Sequence, residues 1–396
     1  MHVLVTNDSF PQSLGIVRSL GRKGIRVSVL ADKPTRLASH SRYCSARYEV
    51  PPPGEDSFYS AVMNLLHRIH FDLIIPVGYD ATRALAQHQV AVNSLSSLEI
   101  ADSEKIQRAA DKRYVNELAS EVGVPAPKSF SPTHPNEVRD LSRGIKYPVV
   151  IKAASEPLVK KGVQYARTPH ELIERYEALW QESKQSPTPP PIVQEYIPGF
   201  GCGFFALYQK GTCKRIFMHR RVREVPPSGG ISCCAESYYD PKLKEYGTRL
   251  LDQLGWHGVA MVEFRYDTDV NDYKLVEINP KFWGSLDLAL AAGVDFPYYL
   301  CQMAQGQTIE YSEEYIRKIR FHWPLLETLH ILQRPAAIGT VLVDSLSPRV
   351  RSNLAFTDIM PNLFEPAERL RSQLSRRIRQ RRQSRIALAA LGKSRP

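Results

Sequence analysis

The chain has 396 residues, with 52 Lys plus Arg against 41 Asp plus Glu, which gives a formal net charge of +11. This length suggests two or three domains, and 43% hydrophobic with 23% charged residues excludes a wholly disordered chain. No apolar run reaches the ~18 residues that a membrane-spanning helix needs, and the start MHVLVTNDSF does not have the pattern of a signal peptide. The six cysteines show no C-x-x-C spacing, which argues against zinc and favours reduced thiols. We therefore expect a cytoplasmic protein.

The excess positive charge is concentrated near the C-terminal end of the chain. Residues 365–396 contain ten basic and two acidic residues, a net charge of +8, so the preceding 364 residues carry only +3. We therefore expect no binding to nucleic acid by the main body. Leu370, Leu374 and Ile378 recur at intervals of four in this tail, with arginines beside them. A basic amphipathic helix of this kind can lie on an anionic membrane surface, and the alternative is a solvated or frayed terminal helix.

The first part of the chain alternates strand patterns with helix patterns. HVLVTNDSF (2–10) predicts a strand and a loop, SLGIVRSLGRKG (13–24) a helix that ends at glycine, and IRVSVLAD (25–32) a second strand. FDLIIPVGYDATRALAQH (71–88) repeats the strand and the helix. These units predict a small parallel-sheet domain over residues 1–105. Because the first loop lacks G-x-G-x-x-G, no nicotinamide cofactor is expected.

The middle of the chain predicts a second domain over residues 106–310, and residues 311–396 form a third region that ends in the basic tail, 365–396. Helices are predicted over 104–122, 169–182, 242–254 and 285–305. Strands are predicted at YPVVIKAA (147–154), IVQEYI (192–197), a hairpin that turns at Lys210-Gly211, GVAMVEFRY (258–266) and YKLVEINP (273–280). The fold class is therefore α/β.

The last two of these strands place two glutamates opposite each other. If the turn DTDVND (267–272) is centred near residue 270, Glu263 faces Glu277, and side-chain alternation puts Arg265 and Asn279 on the same face. The opposite face carries the apolar residues Val262, Phe264, Val276 and Ile278. Facing carboxylates repel without a counterion, and oxygen ligands of this kind suit Mg²⁺ or Mn²⁺. The alternative is a solvent-facing surface on which Arg265 and Lys281 neutralise the acids.

Two lysines differ in what their surroundings predict. Lys152 lies in an otherwise apolar strand, where a buried ammonium is costly unless it meets an anion. We therefore predict that Lys152 contacts nucleotide phosphates, and the alternative is an ammonium that extends to solvent from the end of the strand. Lys112 lies in a helical pattern, which by itself predicts an ordinary lysine on the protein surface.

Two backbone segments are candidates for nucleotide contact. Glu195, Tyr196 and Ile197 end a strand, and main-chain groups at such an exit can read the edge of an adenine. Gly229 and Gly230 would let backbone amides approach a phosphate, although a Gly-Gly pair is more often an ordinary turn.

In their order along the chain, these motifs resemble those of the ATP-grasp superfamily. The matching motifs are ADK ending at residue 112, VIK at 150–152, QEYIPG at 194–199, MVEF at 261–264 and VEINPKFWGS at 276–285. The likeness spans residues 100–305 and is strongest to the carbamoyl-phosphate-synthetase-like and carboxylate–amine ligase branch. It implies a small N-terminal domain, a two-lobed ATP-grasp domain and a C-terminal extension.

The resemblance also implies roles for individual residues. Lys112 and Lys152 would contact ATP phosphates, and the segment from Glu195 to Ile197 would hold adenine. Glu263, Glu277 and Asn279 would bind Mg²⁺ or Mn²⁺. Candidates for contact with the γ-phosphate or a substrate carboxylate are Arg220, Arg221, Arg223 and Lys281. Two features depart from the family: the loop ASEPLVKKGVQY (154–165) is poor in glycine, and Phe200 stands where an acidic residue for ribose is frequent.

The resemblance implies an ATP- and Mg²⁺-dependent ligase that joins a carboxylate to an amine through an acyl phosphate. The alternatives are a carboxylase-like or phosphotransfer enzyme of the same fold, or a non-catalytic module that binds or senses ATP. The expected partners are a small-molecule carboxylate and a small-molecule amine, together with peripheral contact to an anionic membrane through the tail. A homodimer is the default expectation for oligomeric state.

Overall fold

A computed structural model describes residues 1–32, 36–154, 163–184, 189–227 and 229–366 of the chain. The loop that follows Lys152 and the basic tail were both singled out from the sequence. Residues 155–162 of that loop and residues 367–396 of the tail lie outside the described residues, so the prediction of a membrane-binding tail is not addressed by the fold.

The first part of the chain forms a parallel sheet, as its sequence predicts. The elements follow in the order β1 (His2–Val5), α1 (Pro11–Arg22), β2 (Arg26–Ala31), β3 (Cys44–Glu49), α2 (Ser57–Arg68), β4 (Leu73–Ile75), α3 (Tyr79–Ala86) and α4 (Gln89–Asn93). The strands pair in the order β3–β2–β1–β4, and every pair is parallel. The alternation of strand and helix explains this arrangement, because a parallel pair needs a crossover connection.

The next part of the chain builds a second, antiparallel sheet. The elements are α5 (Ser103–Ala110), α6 (Lys112–Glu121), β5 (Ser129–Phe130), α7 (Pro135–Leu141), β6 (Val149–Lys152), β7 (Val163–Ala166), α8 (Pro169–Lys184) and β8 (Ile192–Glu195). The strand order is β5–β8–β6–β7. The helical stretch predicted over 104–122 is confirmed, but it consists of two helices, because the side chain of Asp111 accepts a hydrogen bond from the Arg113 amide and starts a new helix.

A longer sheet follows and carries most of the predicted site. Its elements are β9 (Phe200–Gln209), β10 (Thr212–Val225), β11 (Ile231–Ser237), α9 (Pro241–Gln253), β12 (Gly258–Asp267), β13 (Asp272–Asn279), α10 (Leu286–Ala291) and α11 (Phe296–Ala304). The β9–β10 hairpin turns at Lys210 and Gly211, which both have positive φ, so that prediction is confirmed. The single helix predicted over 285–305 is wrong, because it is interrupted near Gly293, which has φ of 95°.

The C-terminal part extends the longer sheet instead of forming a separate one. Strand β14 (Arg320–His322) pairs with β11, and after α12 (Pro324–Gln333) and α13 (Ile338–Leu346) strand β15 (Val350–Ser352) pairs with β14. The sheet order is β13–β12–β9–β10–β11–β14–β15. The division of the chain into domains at residues 105 and 310 stays a prediction. Within the described residues, no helix combines the length and the apolar character needed to cross a membrane.

Three apolar cores show which parts of the molecule pack together. Neighbouring residues of β9 point to opposite faces, so Phe204 belongs to one core and Phe205 to another. Each of these cores also contains residues of the N-terminal parallel sheet, Leu4 in the first and Val3 in the second. The antiparallel sheet has its own core against α7 and α8. It is therefore a separate lobe, and its strand end at Lys152 meets the face of the longer sheet.

Candidate active site

The hairpin of β12 and β13 places the two predicted carboxylates opposite each other. Glu263 pairs with Glu277 in the register, as the sequence predicts, and Asn279 lies two residues further along β13. A bulge then shifts the register, so that Phe264 faces Leu275 and Val276 is the extra residue. The prediction that Val276 belongs to the core face is therefore wrong, and Leu275 takes that place.

Each carboxylate has its own cationic partner. Arg221 Nη2 lies 2.8 Å from Glu263 Oε1, and Lys112 Nζ lies 3.1 Å from Glu277 Oε2. Asn279 Nδ2 donates to the other oxygen of Glu277 at 2.9 Å. The alternative interpretation, in which Arg265 neutralises these acids, is wrong, because the Arg265 guanidinium donates to the carbonyl oxygens of Ile197 and Gly199 instead.

Lys112 is a buried residue, and the interpretation of an ordinary surface lysine is wrong. It is the first residue of α6, and its side chain is 7% exposed. Its amide donates to the carbonyl oxygen of Ala154 at 3.0 Å, just beyond the end of β6. This bond joins the start of α6 to the lobe of the antiparallel sheet, so the ammonium lies where the two sheets meet.

Lys152 is the last residue of β6 and is also buried. Within the described residues, no carboxylate lies within salt-bridge distance of its ammonium. Burial and the neighbouring ammonium of Lys112 lower the pKa of Lys152 to about 8, although Glu277 and Glu263 act in the opposite direction. A buried ammonium without a close counterion is costly and is typical of a site that takes up an anion.

The two facing glutamates differ in their pKa. Burial raises the pKa of Glu263, and the neighbouring carboxylates of Glu277 and Glu224 add to the increase, against Arg221. Burial alone would also raise the pKa of Glu277, but the ammonium groups of Lys112 and Lys152 outweigh it and lower that pKa. Opposite shifts in one buried cluster are characteristic of functional sites.

The strand exit after β8 lies against the β12–β13 hairpin. Glu195 pairs with Lys274 Nζ at 3.3 Å, and Arg265 Nε donates to the carbonyl oxygen of Ile197 at 3.0 Å. Gly199 has φ of 93°, and a Cβ there would lie 2.1 Å from the carbonyl oxygen of Tyr266. The close approach therefore requires glycine and fixes the predicted adenine segment beside the carboxylate hairpin.

The Gly229-Gly230 turn closes on the same cluster. Arg221 Nη1 donates to the carbonyl oxygen of Gly230 at 2.9 Å. A Cβ on Gly229 would lie 2.5 Å from the hydroxyl of Tyr165, which belongs to β7 of the other lobe. The rings of Tyr165 and Tyr196 are 6.0 Å apart, edge to face. This turn therefore spans the gap between the two lobes.

The structure places the three predicted arginines in different surroundings. Arg221 lies in the cluster, whereas Arg220 pairs with Glu236 at 2.8 Å and is half exposed. Arg223 pairs with Glu327 on α12 at 2.6 Å and with Asp344 on α13 at 2.7 Å. The structure therefore does not bring Arg220 and Arg223 to the carboxylates. Lys281 remains at the edge of the cluster, where its charge helps to lower the pKa of Glu277.

A cavity of about 730 Å³ opens beside Arg221, between β10 and the helices α12 and α13. His330 donates through Nδ1 to the carbonyl oxygen of Glu224 at 2.7 Å and forms part of its wall. No ion pair joins the lining residue Arg334 to any residue that the structure describes. The apolar part of the wall includes Phe200, Val222, Pro227, Ala336, Ala337 and Val343.

Sequence reasoning missed several residues of this site. Glu224 pairs with Arg221, as Glu263 does, and its Oε1 lies 2.9 Å from Arg221 Nη1. The position of Glu224 depends on a bulge at Val222 that the sequence does not reveal. Tyr165 and His330 also lack a local motif, because their elements meet the site only in the folded chain. In the described ranges, no group of three or more His, Cys, Asp and Glu side chains is arranged to hold a metal ion. The predicted metal set therefore reaches three ligands only with the amide of Asn279.

Two family models match this part of the chain. Residues 111–199 match the ATP-binding domain of the carbamoyl-phosphate synthase L chain. Residues 188–324 match the model described as ATP-grasp in the biosynthetic pathway with Ter operon. The chain contains an ATP-grasp domain. Together the two ATP-grasp matches include every predicted site residue from Lys112 to Lys281.

Curated relatives align with more than half of this chain at low identity. The carbamoyl phosphate synthase large chain of Clostridium acetobutylicum is 25% identical over 226 residues, which is 55% of this chain and 21% of that protein. The N-terminal section of the Methanopyrus kandleri enzyme is 22% identical over 267 residues, 62% of this chain and 43% of that protein. The chain therefore spans less than half of the length of these relatives.

Solved structures share the fold over most of the chain. The biotin carboxylase domain of Hydrogenobacter thermophilus 2-oxoglutarate carboxylase, in complex with MgADP and bicarbonate, has a TM-score of 0.65 at 18% identity and covers 80% of this chain and 72% of that one. The L-amino acid ligase from Bacillus licheniformis has a TM-score of 0.62 at 16% identity, covering 80% and 77%. The N5-carboxyaminoimidazole synthetase of Staphylococcus aureus, complexed with ADP, has a TM-score of 0.63 at 14% identity, covering 79% of each chain. At these identities the likeness concerns the ATP-grasp fold.

Proposed function

We propose that the protein is an ATP- and Mg²⁺-dependent ligase that joins a carboxylate to an amine through an acyl phosphate. One observation carries the proposal. The facing carboxylates of Glu263 and Glu277 meet the buried ammonium groups of Lys112 and Lys152 at the junction of two lobes. Such a set of fixed positive groups beside oxygen ligands suits a transferring phosphoryl group with its metal ion.

The nucleotide is proposed to lie between the antiparallel lobe and the β12–β13 hairpin. Lys152 and Lys112 would contact the phosphates, because both are buried where β6 ends and α6 begins. Among the residues that the structure describes, no carboxylate forms a salt bridge with Lys152. The backbone from Glu195 to Ile197 would face the adenine, since its strand exit is fixed against the hairpin by Arg265. The solved neighbours with ADP share this fold and support the placement.

The donor set fits a hard divalent cation. Two carboxylates and an amide oxygen are the kind of ligands that Mg²⁺ takes together with substrate phosphates. In the structure Arg221 and Lys112 balance these acids, at 2.8 and 3.1 Å. Glu263, Glu277 and Asn279 would hold the ion, and when bound it would neutralise charge on the phosphate oxygens. Arg221 and Lys112 would then be available to the transferring phosphate.

The cavity beside Arg221 is proposed to hold the acceptor substrate. It adjoins the carboxylate cluster through Arg221 and Glu224, so an acceptor there is close to the proposed phosphoryl group. Arg334 would bind an anionic group, because it lines the cavity and its guanidinium forms no ion pair within the described residues. The alanines and Val343 would contact an apolar part of the molecule.

The proposed reaction has two displacement steps, and the atoms balance in both. A substrate carboxylate oxygen attacks the γ-phosphorus, the bond to the bridging oxygen breaks, and ADP leaves. The amine nitrogen then attacks the acyl carbon, inorganic phosphate leaves, and the amine loses a proton. Lys112, Lys152 and Arg221 stabilise the charge on the transferring group by position, so no nucleophilic side chain is required.

Magnesium-dependent ADP release tests this proposal. We expect continued ADP release over many turnovers only when a carboxylate and an amine are both present, with formation of an amide that mass spectrometry detects. Arg334→Ala should raise the KM of the carboxylate or amine substrate about tenfold and leave the KM of ATP unchanged. ADP release with bicarbonate alone would instead indicate a carboxylase-like enzyme, and tight ATP binding without turnover would indicate a sensing module.

A further inference from the structure

The exposed apolar side chains of this protein are concentrated in one short stretch. Among the described residues, 18 large hydrophobic side chains are exposed, and 11 of them lie between residues 332 and 364. They are Leu332, Ile338, Leu342, Val343, Leu346, Leu354, Phe356, Ile359, Met360, Leu363 and Phe364. We call these side chains, apart from Val343, which lines the proposed acceptor cavity, the C-terminal apolar surface. Scattered exposed hydrophobic residues need no explanation, but here 11 of the 18 fall within 33 consecutive residues, which points to an interaction site in this part of the chain.

Helix α13 shows that part of this surface faces away from the protein. Ile338, Leu342 and Leu346 recur at intervals of four residues and therefore share one side of the helix. Leu342 is 56% exposed and Leu346 is 85% exposed. The buried residues of the same helix are Val341 and Asp344. Helix α13 therefore packs through Val341 and Asp344, and the side that carries Ile338, Leu342 and Leu346 remains uncovered.

The segment after β15 presents a second group of exposed apolar side chains. Phe356, Ile359 and Leu363 are all exposed, and Phe356 is 90% exposed. The orientation of this segment is fixed by Asp358, which is buried and accepts hydrogen bonds from Arg18 of α1 and from Ser41. The buried ion pair of Asp358 with Arg18 therefore fixes this segment with its apolar side chains exposed.

The acidic and basic side chains of residues 332–364 differ in their exposure. The acids, Asp344 and Asp358, are both buried in ion pairs, with Arg223 and Arg18 respectively. Apart from Arg334, which lines the proposed acceptor cavity, the basic residues are Arg349 and Arg351, and both are exposed. Residues 367–396, which follow directly, contain ten basic residues and one acidic residue. The outer surface of residues 332–364 therefore combines apolar side chains with positive charge alone.

We propose that the C-terminal apolar surface docks this protein on an anionic lipid membrane. The apolar side chains would enter the interface between headgroups and acyl chains, and the arginines would face anionic headgroups. A second copy of the chain is a poorer fit, because a symmetric dimer would bring the same positive surfaces together. The chain's own basic tail is a poorer fit for the same reason, and it would instead add a second attraction to the membrane.

Vesicle sedimentation of the full chain tests the proposal. We expect binding to vesicles of phosphatidylcholine and phosphatidylserine in about a 2:1 ratio and much weaker binding to phosphatidylcholine alone. The double variant Leu342→Asp/Leu346→Asp should bind the mixed vesicles at least tenfold more weakly. Val90→Asp is the matched control, because Val90 is 89% exposed on α4, outside this surface, and should leave binding unchanged.

A second pair of variants separates charge from apolar contact. Arg349→Ser/Arg351→Ser should weaken binding to the mixed vesicles several-fold, and added salt should reduce this difference. Deletion of residues 367–396 should weaken binding while leaving the effect of the Leu342→Asp/Leu346→Asp change intact. Circular dichroism and thermal unfolding check that each variant is folded.

Three results would overturn the proposal. The first is equal binding of mixed vesicles by the wild-type chain and by the folded double aspartate variant. The second is the absence of vesicle binding by the full chain. The third is a concentration-dependent dimer in analytical ultracentrifugation that the double aspartate variant abolishes, because the surface would then be an interface between two copies.

Discussion

Two arginines on β10, separated by one residue, belong to two different ion clusters. Arg221 pairs with Glu263 and Glu224 at the junction of the lobes, whereas Arg223 pairs with Glu327 and Asp344 of the C-terminal helices. A register shift between the two arginines sends them to these different surroundings. Both clusters are buried and contain acids and bases in close contact, so charge alone does not distinguish a site from a structural network.

The difference lies in how completely the charges are paired. Arg223 donates to both oxygens of Glu327 at 3.0 Å through Nε and also reaches Asp344. In the other cluster Lys152 is buried without a salt bridge to the described residues, and the facing glutamates have pKa values shifted in opposite directions. A ligand of opposite charge can pair with a buried charge that the fold leaves incompletely paired. For this reason we assign function to the cluster that contains Arg221 and Lys152.

The largest expected effect is that of Glu277→Gln on catalysis. The change keeps the shape of the side chain but removes the charge opposite Glu263, so ADP release should fall on the order of 10²–10³-fold. Thermal unfolding should show that the variant is folded. Glu313→Gln is the control, since Glu313 pairs with Lys244 outside the cluster. Equal loss of activity in both variants, or in neither, would contradict the assignment of the metal ligands.

The next largest expected effect is a loss of stability, and it distinguishes Arg223 from Arg221. Arg223→Ala leaves Glu327 buried without its partner and Asp344 paired with Arg320 alone, which should lower the free energy of unfolding by about 3–5 kcal/mol in denaturant titrations. Arg221→Ala should also lower the free energy of unfolding. Added Mg²⁺ should restore the stability of this variant, because the ion replaces the missing positive charge. Mg²⁺ should have no such effect on Arg223→Ala. Rescue of both variants by Mg²⁺ would remove the distinction between the two clusters.

The smallest effect is the pH dependence of nucleotide binding. The pKa of Lys152 is about 8 without a ligand, and phosphate favours the charged ammonium. Below that pH the ammonium is already protonated in the free protein, so the titration of Lys152 should not make ADP affinity depend on pH. Above it, binding must take up a proton, and affinity should fall toward about tenfold per pH unit.

Lys152→Arg supplies the comparison, because its guanidinium stays charged over this range. Calorimetric titration with ADP should give a flat profile for this variant above pH about 8. The same slope in the wild type and in Lys152→Arg would show that another group takes up the proton.

Patterns that depend on near neighbours were predictable from the sequence. The β9–β10 turn at Lys210-Gly211 and the pairing of Glu263 with Glu277 follow from local chemistry and strand alternation, and both are confirmed. The predicted core position of Val276 is wrong, because one extra residue in a strand reverses the alternation beyond it. A bulge changes no residue type, so composition and periodicity do not reveal it.

The sequence by itself determined the parallel N-terminal sheet, the ATP-grasp motifs from Lys112 to Lys281 and the position of the basic tail, because each is a pattern along the chain. The tertiary structure decided which cation meets which carboxylate. It also decided that Arg220 and Arg223 lie outside the cluster and that Lys112 is buried. These outcomes depend on contacts between elements that are far apart in sequence. The physical reason is that burial and pairing are properties of surroundings, which only the folded chain supplies.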